Sequence, residues 1–128
     1  MKKILAFIIL AFVAFSCNQR SRTEKQFNGE KINYGDNPAS AHFADVNGIK
    51  LYYETYGSGE PLIMLHGNGG SINAFRNQIP FFSQYYQVIA VDSRLQGKSG
   101  GSPDKISYDL MASDFCALLA QLQIKSAY

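Results

Sequence analysis

Two strand-like runs, residues 42–46 and 49–56, lie on either side of Asn47-Gly48. Asn-Gly between such runs is a strong hairpin signal, because both central residues of the tight turn need positive φ. The second run alternates between apolar and more polar positions, and Tyr52 and Glu54 fall on the polar face. This pattern predicts an antiparallel hairpin whose second strand is half-buried.

Two later runs, residues 62–65 and 88–91, are continuously apolar. Such runs predict strands that are covered on both faces, as parallel strands usually are. Between them, Ser71 is expected to cap a helix that carries apolar residues at helical spacing, and Pro80 is expected to stop or kink it. Strand, helix and strand together predict a parallel βαβ unit with a right-handed crossover.

A final helix is predicted from Ser107, a good N-cap, to Gln123. Asp114 is expected on the side of this helix opposite its apolar face. Cys116 is expected to be a buried, inert thiol. Residues 124–128 have the character of a connection that enters another strand. The predicted apolar face consists of Met111, Phe115, Leu118, Leu119 and Leu122.

Composition is typical of one small globular domain: 128 residues, 46% hydrophobic and 17% charged. The net charge of +2 is supplied by Lys2 and Lys3, and no basic stripe interleaved with aromatic residues is present, which argues against nucleic-acid binding. Two distant histidines and one available thiol do not make a metal site, and no cofactor is implied.

The N-terminus has the pattern of a targeting segment. Lys2-Lys3 precedes an apolar run at residues 4–15, which is too short to span a bilayer. The sequence Ala14-Phe15-Ser16-Cys17 resembles a bacterial lipoprotein processing site, which implies a lipid on Cys17. It also implies a location in the bacterial cell envelope, and Asn18 favours the outer membrane. The alternative is an ordinary signal peptide with a chance cysteine.

This interpretation divides the chain into three parts: a signal peptide at residues 1–16, a polar tether at 17–40 and a domain at 41–128. The tether is polar and aperiodic, and ordered structure is expected to start near Ala41. An acylated Cys17 would leave no partner for a disulfide within one chain.

The stretch from His66 to Gly70 carries the clearest chemistry. A strand runs directly into His66-Gly67-Asn68-Gly69-Gly70 and then towards a helix. Glycines allow a sharp turn, but this many also permit a ligand to approach bare backbone N–H groups. Such groups bind anions or stabilise a developing oxyanion.

Two motifs in sequence resemble the first half of an α/β-hydrolase. The first is the His66-Gly67 turn after a strand. The second is Asp92-Ser93-Arg94-Leu95-Gln96-Gly97-Lys98-Ser99, which is similar to the family's Asp-x-Arg-Gly-x-Gly-x-Ser loop. The resemblance covers residues 41–128. It implies an α/β fold that is the N-terminal half of the family's sheet, with an antiparallel hairpin, a parallel βαβ unit and a following helix, and that is incomplete.

The resemblance also implies site roles. The backbone N–H of Asn68 would be one donor of the oxyanion hole, and His66, Gly67, Gly69 and Gly70 would support the turn. Asp92 and Arg94 would anchor the second loop by polar contacts. Leu95 stands where the family has Gly, and a leucine resists the special backbone conformation that the glycine permits.

Two further motif matches fail on context. Gly97-Lys98-Ser99-Gly100-Gly101 fits the pattern G-x-S-x-G, but a nucleophile elbow needs a strand directly before it and a helix directly after it. The same stretch ends like a phosphate-binding loop, which would need a glycine where Asp92 stands. Ser99 is therefore not expected to be a nucleophile.

The resemblance implies hydrolysis of an ester or similar bond in a small-molecule substrate, through a nucleophile-elbow residue that this sequence lacks. The chain is therefore expected to be truncated and inactive alone, without nucleophile, acid or catalytic histidine. The strand at 62–65 would become an unpaired edge, which predicts self-association. The alternative is a non-enzymatic lipoprotein, anchored in the membrane, that binds a partner through this edge.

Overall fold

The computed structural model describes residues 32–128. The predicted signal peptide, Cys17 and the first part of the tether lie outside the described residues. Within residues 32–128, no helix combines the length and the apolar character that crossing a membrane would need.

Four strands form one mixed sheet: β1 (Ala41–Val46), β2 (Ile49–Tyr56), β3 (Glu60–Leu65) and β4 (Tyr86–Val91). Their order in the sheet is β1-β2-β4-β3. The pairs β1–β2 and β2–β4 are antiparallel, and β3–β4 is parallel with Leu62 opposite Val88. The predicted hairpin and the predicted parallel pair are both confirmed, and the fold class is the predicted incomplete α/β sheet.

The hairpin turn has the backbone that its sequence predicts. Asn47 has φ 46° and Gly48 has φ 77°. Positive φ at both central residues matches the right-handed twist of the flanking strands. Val46 pairs with Ile49, which fixes the register of the hairpin.

The alternation in β2 predicts a strand with one exposed face, and this prediction is wrong. Tyr52 is 1% exposed and Glu54 is fully buried. The reason is tertiary, because structure covers both faces of the sheet at β2. One face packs on the long C-terminal helix through Leu51 and Leu118, and the other packs on Ile72 and its neighbours.

The region between β3 and β4 differs from the single predicted helix. It contains a 3₁₀ turn at Ile72–Phe75 and a short helix α1 at Ile79–Phe82. Ser71 is extended and makes no side-chain cap. Pro80 lies in the first turn of α1 rather than at a helix end. The fixed φ of proline suits that position, and its missing N–H costs nothing there.

The C-terminal helix α2 spans Tyr108–Gln121, and Ser107 caps it as predicted, with its hydroxyl accepting the N–H of Leu110 at 3.1 Å. The helix ends two residues before Gln123, which has φ 58°. Cys116 is exposed rather than buried. It stands two positions from the buried Leu118, and residues two apart do not share a helix face.

After α2, the chain returns to the sheet. The N–H of Tyr128 donates to the carbonyl of Pro61, and the N–H of Ile63 donates to the carbonyl of Tyr128, both at 3.0 Å. This is a parallel bridge opposite Leu62. The predicted entry into another strand is therefore present at Tyr128, on the outer side of β3.

Residues 33–40, which the sequence assigns to the tether, fold against β2. The carboxylate of Glu54 accepts the backbone N–H groups of Gly35 at 2.8 Å and Asn37 at 3.0 Å. It also accepts the hydroxyls of Tyr52 and Tyr56. These four contacts occupy both oxygens of the buried carboxylate.

Candidate active site

Two loops meet at the carboxyl ends of the parallel strands β3 and β4. The first loop is residues 66–71, after β3, and the second loop is residues 92–99, after β4. Neighbouring parallel strands deliver the loops that follow them to the same edge of a sheet, which is where α/β proteins bind ligands. The sheet order therefore brings together all the predicted site residues except Cys17, which lies outside the described residues.

The first loop contains a type II β-turn at residues 67–70. The N–H of Gly70 donates to the carbonyl of Gly67 at 3.0 Å. Gly69 has φ 74°, while Asn68 is not among the residues with positive φ. Positive φ at the third position alone defines type II and favours glycine there. A Cβ on Gly70 would lie 2.9 Å from the carbonyl oxygen of Gly67, so the turn also requires glycine at position 70.

His66 supports this turn from below. Its Nε2 accepts the backbone N–H of Ser93 at 3.1 Å, so the proton is on Nδ1, which donates to the carbonyl of Gly67 at 2.8 Å. Nε2 also lies 3.8 Å from a carboxylate oxygen of Asp92. This is not an ion pair, because the ring is a neutral imidazole with both nitrogens already occupied. His66 therefore orients the turn and has no free nitrogen for proton transfer.

The amide of Asn68 remains available. The carbonyl of Gly67 is directed into the turn by its bonds with His66 and Gly70, and in a trans peptide the next N–H points the opposite way. Among the described residues, no protein acceptor takes the N–H of Asn68. Asn68 and Gly67 are exposed. The turn thus presents the N–H of Asn68 as a bare backbone donor at the edge of the sheet.

Asp92 connects the two loops. Its side chain is buried, and one carboxylate oxygen accepts the N–H of Ile72 at 2.8 Å while the other accepts the N–H of Lys98 at 2.7 Å. A Cβ on Gly97 would clash with this carboxylate. The burial of this charge is therefore offset by backbone donors from the residue that follows the first loop and from the second loop.

Ser99 is engaged in structure and is not placed as a nucleophile. Its hydroxyl donates to the carbonyl of Asp92 at 2.6 Å and accepts the N–H of Tyr52 at 2.8 Å. No helix starts after it, since residues 99–102 have no regular structure. These contacts agree with the context argument against a nucleophile elbow at this position.

The comparisons with known proteins agree with this geometry. Residues 60–128, more than half of the chain, match a family model described as alpha/beta hydrolase fold. The chain belongs to the α/β-hydrolase fold family. The matched segment includes both loops, which lie at the sheet edge where proteins of this architecture bind ligands.

Individual relatives are hydrolases and related enzymes. The chain is 38% identical over 81 residues to a soluble epoxide hydrolase from Corynebacterium sp. strain C12, covering 63% of this chain and 28% of the relative. It is 36% identical over 92 residues to a cis-3-alkyl-4-alkyloxetan-2-one decarboxylase from Shewanella oneidensis, covering 69% of this chain and 29% of the relative. The chain therefore spans less than a third of the length of these relatives.

Solved structures show the same likeness. The epoxide hydrolase CorEH without ligand matches with a TM-score of 0.63 and 37% identity, covering 65% of this chain and 29% of that one. Est816, described as an N-acyl homoserine lactone degrading enzyme, matches with a TM-score of 0.64 and 30% identity, covering 67% and 33%.

Arg94 of this hydrolase-fold chain is buried and forms a bidentate pair with Asp114 of α2. Arg94 Nε lies 2.6 Å from one carboxylate oxygen, and a terminal nitrogen lies 2.7 Å from the other. The prediction that Asp114 faces away from the apolar side of α2 is wrong, because Asp114 is fully buried. Its position four residues before Leu118 places both on one helix face, a signal that the sequence does contain.

Leu95, the departure from the family loop, adopts the conformation that a glycine would favour. Its φ is 62°, and its N–H donates to the carbonyl of Gly100 at 3.1 Å. A left-handed backbone costs a leucine about 1 kcal/mol. Two contacts hold the loop in this conformation despite the strain: the carboxylate of Asp92 accepts the N–H of Lys98, and Arg94 pairs with Asp114.

Two polar residues at the site have no role in the sequence argument. Gln96 accepts the N–H of Gly69 across the gap between the loops at 2.6 Å. Lys98 pairs with Asp36 of the N-terminal segment and lies 5.0 Å above the ring of Tyr52. Only the spacing of the second-loop motif could have pointed to Gln96.

Within residues 32–128, the site presents the bare N–H of Asn68 as a donor. No strand there runs directly into a G-x-S-x-G turn followed by a helix. Among the same residues, no three His, Cys, Asp or Glu side chains come close enough to hold a metal ion. The arrangement can stabilise negative charge at the Asn68 amide.

Proposed function

We propose that this chain supplies the oxyanion-binding half of an α/β-hydrolase active site. The full site would hydrolyse an ester or similar bond in a small molecule, through a nucleophile carried by a segment outside this sequence. The N–H of Asn68 would donate to the negative oxygen that forms when the carbonyl is attacked. The single observation that carries this proposal is that amide, which lacks a protein acceptor within the described residues.

Two further observations support the proposal. The relatives include hydrolases of small molecules, and the chain spans less than a third of their length. The support of the turn by His66, Asp92 and backbone bonds is the preorganisation that oxyanion stabilisation needs, because a donor fixed in advance costs no reorganisation during the reaction.

The chain alone is expected to be inactive, and an ester assay tests this. p-Nitrophenyl acetate is offered to the purified full chain and to the variants Asn68→Pro and Asn68→Ala. Proline removes the N–H but suits the second position of a type II turn, whereas alanine keeps the N–H. All three are expected at the uncatalysed rate. Activity that is lost in Asn68→Pro and kept in Asn68→Ala would show that the chain holds its own nucleophile.

The coding sequence provides a second test. A reading frame that continues beyond the codon for Tyr128 into a G-x-S-x-G segment, or into one with Asp in the nucleophile place, would support the proposal. In that longer polypeptide, Asn68→Pro should lower kcat by about 100- to 1000-fold, and Asn68→Ala should leave kcat nearly unchanged.

A second candidate function is a non-enzymatic lipoprotein that binds a partner through the edge of β3. The observation that favours it is the outer side of β3, where only Tyr128 pairs within the described part of the chain. A stop codon after Tyr128, with no hydrolase remnant downstream, would favour this function over the enzyme.

We also propose that Cys17 carries lipid and holds the protein in the bacterial cell envelope, at the outer membrane rather than the inner one. The support is the apolar run at residues 4–15 and the sequence around Cys17. Cells that express the chain are grown with labelled palmitate. The label should be lost in Cys17→Ser and kept in Cys116→Ser, and equal labelling in both variants would exclude lipid at Cys17.

A further inference from the structure

Gln96 makes the one contact from the second loop to the central peptide of the type II turn at residues 67–70. That peptide joins Asn68 to Gly69, and we call this turn the oxyanion turn after its proposed function. Its Oε1 accepts the N–H of Gly69 at 2.6 Å, a short distance for such a bond. The residue is half-buried between the loops.

The other hydrogen bonds that support the turn are made at other peptide groups. The bonds from His66 and Gly70 both end on the carbonyl of Gly67, and the carboxylate of Asp92 holds the N–H of Ile72. None of them touches the peptide that joins Asn68 to Gly69. Among the described residues, Gln96 is the only partner of that peptide.

The orientation of this peptide decides the turn type. Types I and II differ mainly by rotation of the central peptide, so that the Asn68 carbonyl and the Gly69 N–H exchange directions. Gly69 can adopt either conformation, because a glycine takes positive and negative φ with similar ease. In the type II turn, the N–H faces Gln96 in the second loop, and the carbonyl of Asn68 points the opposite way.

We propose that Gln96 is a positioning residue that selects the type II turn and so keeps the carbonyl of Asn68 directed away from the second loop. This inference rests on the proposed function, because it matters only if the turn holds negative charge. In the type I state, that carbonyl would point its partial negative charge towards the second loop, which would change the electrostatic field around an anion held by the turn. Gln96 acts through Gly69 and is not itself assigned a contact with substrate.

The carboxamide nitrogen of the same side chain makes the design of the test sharper. Gln96 Nε2 has no protein acceptor within the described residues. In the structure the oxygen of the carboxamide, and not its nitrogen, bonds the turn, and its partner is the N–H that the type II turn presents. A glutamate in its place has only acceptors and can satisfy only the type II turn.

The experiment is NMR on the ¹⁵N-labelled full chain in detergent micelles, with Gln96→Ala, Gln96→Glu and a control, Gln121→Ala. Gln121 also bonds the backbone, but it donates to the carbonyl of Asp45 in β1 and contacts neither loop. In Gln96→Ala, the amide of Gly69 should exchange about ten times faster than in the wild type. The short distance between Asn68 Hα and the Gly69 amide proton, which marks a type II turn, should lengthen on average.

Gln96→Glu should restore both signatures, and Gln121→Ala should change neither. If Gly69 exchanges alike in wild type, Gln96→Ala and Gln96→Glu, Gln96 does not position the turn. If all three variants lose the signatures together, the effect is general loosening and the proposal also fails. The ester assay and the coding sequence test the proposed function separately, so its failure is not confused with failure at Gln96.

Discussion

At the scale of single residues, buried carboxylates hold this molecule together through backbone N–H groups. Asp92 takes one donor from the 3₁₀ turn that follows the first loop and one from the second loop, and Glu54 takes two from the N-terminal segment. A carboxylate has only acceptors, so it matches several N–H groups that would otherwise be buried without partners.

Asp92→Asn should lower the free energy of unfolding by about 2–3 kcal/mol. The amide of asparagine keeps one oxygen but turns its NH₂ towards the N–H of Ile72 or Lys98, which leaves a buried donor without an acceptor. Urea denaturation measures the loss. Asp45→Asn is the matched control, because Asp45 makes only an exposed pair with Lys50 and should change stability by less than about 0.5 kcal/mol.

The phenols beside Glu54 predict a loss of stability in alkali. Burial, and then the neighbouring carboxylate of Glu54, raise the pKa of Tyr52, and the pKa of Tyr56 is raised by burial first and by Glu54 as well. Unfolded tyrosine loses its proton near pH 10. The stabilisation is therefore complete below about pH 10 and is lost as the pH rises from there towards the raised values.

Urea midpoints measured from about pH 8 to about pH 11 should be constant at first and then fall. Tyr52→Phe should make the fall shallower, because one of the two groups no longer titrates. An equally steep fall in that variant would show that Tyr52 does not contribute.

Residue chemistry was only partly predictable from the sequence. The positions of His66, Asn68 and Asp92 follow from motifs that are local in the chain. Glu54 and Gln96 do not, because the backbone N–H groups that they accept lie 17 or more residues away and no local spacing encodes those contacts.

At the scale of elements, local sequence signals specify some turns and helix starts, and tertiary packing decides other elements. Asn47-Gly48 and Ser107 each specify a turn or a helix start within a few residues, and both predictions are confirmed. The 3₁₀ turn Ile72–Phe75 and α1 are different. Apolar residues at helical spacing fit one helix or two short pieces that pack on the same face of the sheet, and the sequence pattern alone does not separate them.

The pair between Arg94 and Asp114 fastens the second loop to α2. Arg94→Met or Asp114→Asn should cost about 3–5 kcal/mol, because each leaves a buried charge or a buried polar group without its partner. The double variant Arg94→Met/Asp114→Asn should lose less than the sum of the single losses. Urea denaturation of the four proteins gives the coupling energy.

The exposed pair of Lys50 and Asp45 provides the control, and Lys50→Met should change stability by less than about 0.5 kcal/mol. Additive losses at positions 94 and 114 would mean that the two side chains stabilise the protein independently.

At the scale of the whole molecule, one edge of the sheet is open beyond Tyr128. Backbone groups alternate in direction along a strand, and Ile63 faces Tyr128. Leu65 therefore faces the same side, where no strand pairs with it in residues 32–128. Leu65 is also 42% exposed, and an apolar open edge favours pairing between chains.

Leu65→Lys should shift the full chain from oligomers towards monomers, because a charge on an edge strand opposes pairing. Phe81→Lys is the control, since Phe81 is a similarly exposed apolar residue on α1 rather than on a strand edge. Sedimentation velocity in the same detergent compares the two. If Phe81→Lys dissociates the oligomer and Leu65→Lys does not, association uses the α1 surface and not the strand edge.

The hydrogen bonds from the N–H groups of residues 35 and 37 to Glu54 limit how much of the N-terminus can be removed without loss of stability. A polypeptide that starts at Ala41 would keep the tyrosine partners of Glu54 but lose both of its amide partners. It would also lose Asp36, the side chain that pairs with Lys98 in the second loop. Removing the residues before the first strand would therefore remove contacts of the buried Glu54 and of the second loop, which lies beside the turn at residues 67–70.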